Sequence, residues 1–246
     1  MKTKYFVSIA VLTLLVMAYG INANGDVKMT DSMIKSFVDY RLIKAGLLVN
    51  DNIKVMVANQ VITLTGEVPT LDAKARAGSE AHKVEESYTI ENDLTVQKSN
   101  LTDAEIAANV MKRIDGYMFY TIFDWVTVKV NNGVVTLSGW ANLPWTPSQI
   151  VQVVQKVPGV LSVVNDIQRE FGTDELRHRA ARVIYSDLMF EPYAYELNPP
   201  IHIIVNGPNI TLYGTVQSNV EKKWADNLVT FGTDAINVTN DLKVVK

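Results

Sequence analysis

The sequence predicts an α+β chain of three tandem αββαβ units, each a small mixed sheet with two helices on one face. Three observations carry that prediction. A Thr-Asp pair opens each unit (Thr30-Asp31, Thr102-Asp103, Thr173-Asp174), and a β-like run reaching a glycine stands in its middle (Gly66, Gly139, Gly214). An Asn-Asp-hydrophobe triplet closes it (Asn92-Asp93-Leu94, Asn165-Asp166-Ile167, Asn240-Asp241-Leu242), always 26 residues after the glycine. Self-similarity held in register is the signature of a repeated supersecondary unit. It divides the chain into a leader (1–23) and repeats over 30–97, 102–170 and 173–246.

Each element has a local cause. Thr and Asp are favoured at helix N-caps, an acidic first turn suits the helix dipole, and Thr102-x-x-Glu105 is a capping box. Behind it Ile106, Val110 and Ile114 fall on one helical face. Ile34, Phe37, Val38 and Leu42 do the same in the first unit, and Leu176, Ala180, Val183 and Ile184 in the third. Next come alternating runs at period two, Ile53-x-Val55-x-Val57, Val126-x-Val128-x-Val130 and Ile201-x-Ile203-x-Val205, which read as strands with one buried face. Turns follow at Asn132-Gly133, at Asn206–Asn209, and without glycine at Ala58-Asn59-Gln60. The returning strands are "VITLTG", "VVTLSG" and "NITLYG".

Gly66, Gly139 and Gly214 are expected where the chain leaves that strand to cross over the sheet, because glycine permits a positive φ or a close backbone approach that a Cβ would block. A second helix then shows apolar positions at Ala77, Ala81 and Val84; at Ile150, Val153, Val154 and Val157; and at Ala225, Leu228 and Val229. The units end in strands over 88–96, 161–168 and 235–244.

Composition narrows function by exclusion. The 48% hydrophobic content suits a chain with a buried core, and 23 basic against 26 acidic residues give a net charge of −3. That balance lacks the basic footprint of a nucleic-acid binder. With no cysteine, the chain has no disulfide, thiolate nucleophile or lipidation site. The N-terminus carries Lys2 and Lys4, then an uncharged stretch from Tyr5 to Ala18, the pattern of a secretory signal. Small residues permit cleavage after Ala23 or after Gly20, the former favoured; an uncleaved anchor is the alternative.

Three segments carry a family resemblance: Asn132–Gly139 ("NGVVTLSG" within it), Val157-Pro158-Gly159-Val160, and Val163 to Ile167. With them the chain resembles the BON domain family. The second unit matches best. The third has Gly232-Thr233-Asp234-Ala235 in place of the Pro-Gly-Val turn, and the first has Glu86-Ser87-Tyr88 there with no hairpin glycine. The resemblance implies a non-enzymatic module of the periplasm or outer envelope, associated with phospholipid surfaces, osmotic stress and, in some members, chaperoning of envelope proteins.

Residue chemistry adds no enzyme, metal or cofactor expectation. His82, His178 and His202 fall in different elements of different units without repeating ligand spacing, and His202 is expected on a strand's outer face. No GxSxG, HExxH or phosphate loop is present. The aromatics say more, for they cluster between the first helix and first strand in the second unit (Tyr117 to Trp125) and the third (Leu188 to Tyr195), with Trp140 and Trp145 after the glycine. Amphipathic rings suit a membrane interface. The alternative is that such loops cap the sheet or join neighbouring copies, which is favoured for Phe123 and Trp125. Phe119, Tyr120, Trp140, Trp145, Phe190 and Tyr193 are the candidates for contact with a phospholipid surface or envelope proteins. The leading expectation is a periplasmic protein that supports envelope integrity; the alternative is a chaperone-like protein holding unfolded clients on the same apolar surface.

Overall fold

The computed structural model describes residues 29–48 and 52–245; the expected signal peptide lies outside them. Each repeat has the expected element order. In the first, α1 (Asp31–Lys44), β1 (Ile53–Ala58), β2 (Val61–Val68), α2 (Leu71–His82) and β3 (Thr89–Val96) form a sheet of order β1-β2-β3. In the second, α3 (Asp103–Asp115), β4 (Trp125–Asn131), β5 (Val134–Ala141), α4 (Thr146–Val154) and β6 (Ser162–Arg169) form a sheet of order β4-β5-β6. Here β4 and β5 are antiparallel and β5 and β6 parallel, so α4 is the crossover helix. The third has α5 (Asp174–Tyr185), a short α6 (Glu191–Ala194), β7 (Ile201–Asn206), β8 (Asn209–Val216) and α7 (Asn219–Gly232). Its final strand is broken into β9 (Asn237–Asn240) and β10 (Lys243–Val244), both parallel to β8.

That break departs from the single strand expected over 235–244. Leu242 turns into the core, and its N–H donates to the Asn240 side-chain oxygen two residues back at 3.2 Å, while Asp241 N donates to Leu212 O. The same local bond recurs at Asn165, whose side chain accepts from Ile167 N. At Asn165 the strand stays whole, so this side-chain bond accompanies the break in the third repeat without being enough by itself to cause one.

The capping residues behave alike in all three repeats: Thr30, Thr102 and Thr173 each accept from a backbone N–H three residues on, and Thr102 and Glu105 complete a capping box. Asn132 and Gly133 both take positive φ at their hairpin, and Asn59 and Gln60 do so without glycine.

The central glycines occupy equivalent points. Gly66, Gly139 and Gly214 pair with Ile53, Val126 and Ile201, the opening residues of the buried face of the preceding strand. Their φ values are +125°, +133° and +111°, and a Cβ on each would lie 2.1, 2.0 and 1.9 Å from the carbonyl oxygens of Asn52, Trp125 and Pro200. Both reasons for glycine therefore apply at once. One expectation is corrected: β2, β5 and β8 run two residues past the glycine, so the chain kinks there instead of leaving the sheet.

The chain divides into two compact bodies, one of the described residues up to Gly66 with Arg76–Leu94, the other of Glu67–Ala75 with Thr95 onward. The second body holds two cores. Ile106, Val110 and Ile114 of α3 and Ile150 and Val154 of α4 lie on Val126, Val135 and Leu137, so both helices cover one sheet face. Ala180 and Ile184 of α5 and Ala225 and Val229 of α7 do the same over Ile201, Ile203 and Leu212. No helix among the described residues is long and apolar enough to cross a membrane.

Candidate functional site

The six candidate rings separate into four environments. Tyr120 and Phe190 are buried: each is the ring that its helix-to-strand loop drives into the core of its own repeat. The Tyr120 hydroxyl accepts from Val126 N at 3.1 Å, and burial pushes its pKa upward. As core side chains they are closed to any surface, which corrects their assignment to contact. Tyr193 is half-buried against Phe190 and donates to Glu221 at 2.7 Å, fastening α6 beside the start of α7. Trp140 is partly covered, and its indole reaches the Tyr213 hydroxyl. Phe119 and Trp145 remain, 49% and 53% exposed. Among the described residues no ring contact joins those two; Phe119 meets Tyr117 edge-on at 5.7 Å.

Beside Tyr117 an open groove of about 690 Å³ is lined by Lys112 and Arg113 from the last turn of α3, by Tyr117 and Met118, and by Val153, Val157 and Pro158. The placement follows from the sequence: cations suit a helix C-terminus, and Gly116 ends α3 so that the aromatic loop turns back over α4. It sets two positive charges against an apolar floor, in a chain with no basic run.

Phe123 and Trp125 join the second repeat to the third. Trp125 stacks on Tyr213 at 5.4 Å with an interplanar angle of 4°, and its other neighbour is the His202 ring at 5.1 Å. Phe123 meets His178 edge-on, and the Arg177 guanidinium lies over it at 5.8 Å. His202, expected on an outer strand face, is buried, because the outer face of β7 is itself covered. Its Nδ1 lies 2.6 Å from the Asp124 carbonyl oxygen, which can only accept, so Nδ1 carries the proton. Burial lowers the pKa of this imidazole, against the opposing pull of the Asp124 and Thr121 backbones.

The free edge of β7 is sealed by the same neighbour. Ile203 N donates to Ile122 O at 2.7 Å, Val205 N to the Glu170 carboxylate at 2.7 Å, and Gly207 N to Phe171 O at 3.2 Å. Glu170 is buried and also accepts from Arg177 Nε at 3.3 Å; burial raises its pKa while Arg177 pulls it down. Asp124 is buried too, accepting from Thr121 N and Asn142 N at 2.9 Å each, with its pKa raised by burial. This polar set was invisible in the sequence except at one place. Ile204 stands where strict alternation would put a polar residue, the mark of a strand buried on both faces.

Among the described residues no group of three or more His, Asp or Glu side chains could hold a metal ion. A further feature, not evident in the sequence, is exposed apolar surface outside the aromatic loops: Val220, Trp224 and Phe231 in the third repeat.

Comparison with known proteins bears on the first two repeats. No curated protein matches the chain. Among solved structures, the C-terminal domain of CdsD, a structural protein of the type III secretion system of Chlamydia trachomatis, is 8% identical. That match covers 89% of this chain and all of that one, with a TM-score of 0.27. The PrgH periplasmic domain is 6% identical, covering 82% of this chain and all of that one, with a TM-score of 0.23. Likeness at that level decides nothing about function. The BON domain model, by contrast, matches residues 30–98 and again 102–170, more than half of the sequence, and the chain therefore belongs to the BON domain family.

Proposed function

We propose that this chain is a non-enzymatic protein of the periplasm and outer envelope that rests on phospholipid surfaces and supports envelope integrity under osmotic stress. The observation that carries this reading is the half-exposure of Phe119 and Trp145 in a repeat whose other rings are at least partly covered. Membership of the BON domain family supports it. So does the groove beside Tyr117, where Lys112 and Arg113 stand over an apolar floor. With a net charge of −3, affinity rests mainly on buried apolar area, at about 25 cal/mol per Å². Binding is then weak and only mildly salt-dependent.

The test is co-sedimentation of the purified chain with phospholipid vesicles. Trp145→Ala should weaken binding and leave the thermal midpoint nearly unchanged, since an exposed ring adds little to the core. Destabilisation by several kcal/mol, or vesicle binding undiminished by replacement of both Phe119 and Trp145, would sink the assignment of those two rings. The same exposed side chains would serve a chaperone-like holder of unfolded envelope proteins. Suppression of client aggregation without lipid, together with no vesicle binding, would favour that second reading.

A further inference from the structure

The second helix of each repeat buries the same positions and exposes different chemistry. In the register set by Gly66, Gly139 and Gly214, the core pairs are Ala77 and Ala81, Ile150 and Val154, Ala225 and Val229, all fully buried. The outward positions of that helix are Asp72, Arg76, Ser79 and Lys83 in the first repeat. They become Trp145, Gln149, Gln152 and Lys156 in the second, and Val220, Trp224, Asn227 and Phe231 in the third. The inward side is constant while the outward side passes from wholly polar to largely apolar. Val220, Trp224 and Phe231 are 68%, 40% and 85% exposed. At 3.6 residues per turn they form one narrow strip along α7, directed away from Ala225 and Val229.

The charges around the strip say what covers it. Lys223 lies beside Val220 and Trp224, and with Met189 they line a groove of about 530 Å³. Glu221 is turned inward, accepting from the Tyr193 hydroxyl at 2.7 Å and from Gln217 N at 2.8 Å, and Asp226 lies off the strip on the flank. The strip therefore presents rings, a valine and a cation, with no carboxylate on it. A bilayer interface suits the arrangement: rings settle at headgroup depth, the helix lies in the plane, and the ammonium meets lipid phosphate.

Resting on the reading above, we infer that the outward face of α7 is a membrane-contact surface of the third repeat. It inserts Val220, Trp224 and Phe231 shallowly into the interface of an anionic phospholipid bilayer. The assignment lies outside the residues that the family model matches.

The experiment uses the full purified chain with vesicles of phosphatidylcholine alone and of phosphatidylcholine with phosphatidylglycerol. The wild type should bind both, the anionic vesicles more tightly. Trp224→Ser with Phe231→Ser should weaken binding about tenfold or more, the loss of roughly 1.4 kcal/mol of apolar transfer, with an unchanged thermal midpoint. Lys223→Gln should reduce the preference for anionic vesicles, leaving what Lys112 and Arg113 supply. If the wild type binds and the double variant binds equally well, the assignment to α7 is wrong while the general reading stands. If the wild type binds no vesicles, both fall. Self-association in lipid-free buffer, abolished by the double variant, would make the strip a contact between copies and overturn the inference.

Discussion

Strands β4 and β7 hold equivalent places in the second and third repeats, and only their surroundings differ. Inward, Val126 and Val128 correspond to Ile201 and Ile203, and both sets pack under two helices. Outward, Thr127 and Lys129 are exposed in β4, whereas His202 and Ile204 at the matching positions of β7 are buried. The inward side of a repeat is therefore set by its own fold and the outward side by its neighbour. A covered edge also needs no charged guard, which is why Lys129 can be replaced by Ile204 without leaving a sticky strand.

The largest test of this separation strikes what the repeats share. Gly139→Val should unfold the second repeat, costing about 4 kcal/mol or more, because its Cβ would fall 2.0 Å from the Trp125 carbonyl oxygen at a φ of +133°. Trp125 opens β4 and stacks on Tyr213, so the third repeat should lose protection in the same denaturation curve. An unchanged midpoint would show that the kink tolerates a side chain.

Next in size is the seal between the two repeats. Glu170→Ala leaves Arg177 without its buried partner and Val205 N–H without an acceptor, an expected loss of about 3–5 kcal/mol by urea denaturation. Glu170→Gln keeps an acceptor for Val205 and should lose less. If both variants match the wild type, the seal contributes nothing measurable.

Trp125→Ala removes the stack on Tyr213 and the cover over His202, and should cost about 2 kcal/mol. Hydrogen exchange should rise at β7 and β8 while the α3 core stays protected. Equal loosening of both cores would mean that Trp125 belongs to the second repeat alone.

The smallest effect is a pH dependence. Burial holds the folded-state pKa of His202 below its ordinary 6.5, so the folded form binds fewer protons than the unfolded chain. Stability from the neutral ring is present above pH 6.5 and lost as pH falls through the lowered value. Asp124 and Glu170, raised by burial, work the other way, since acid relieves the cost of their charge. Replacing His202 by Asn, which can still donate to the Asp124 carbonyl, should flatten the decline just below pH 6.5 and leave the carboxylate contribution. Identical pH profiles for the wild type and the Asn variant below pH 6.5 would overturn this assignment.

Much of the fold was legible because each repeat restates it. The threonine caps, the Asn132-Gly133 hairpin and the three glycines are local devices, and local physics places them wherever the chain goes. The candidate surface was less legible. Tyr120 and Phe190 read like Phe119 in sequence, yet only geometry decides which ring of a loop turns inward. His202 was misplaced because alternation assigns a strand two faces and cannot say that a neighbouring repeat covers the second. Trp224 and Phe231 are not legible as surface in the sequence, because α7 is apolar on both sides and Ala225, Leu228 and Val229 already account for a core face.

The carboxylate of Glu170 takes the place of a missing strand, and this has a temporal meaning. Synthesis delivers the chain from its N-terminus, so the loop of Ile122, the carboxylate and the Phe171 carbonyl exist before β7 is made. β7 then forms onto a template already in place and never waits as a bare strand that another molecule could pair with. Transposing the second and third repeats would keep every core residue and reverse that order: β7 would emerge unguarded, and the rearranged chain should aggregate during folding where the native order does not.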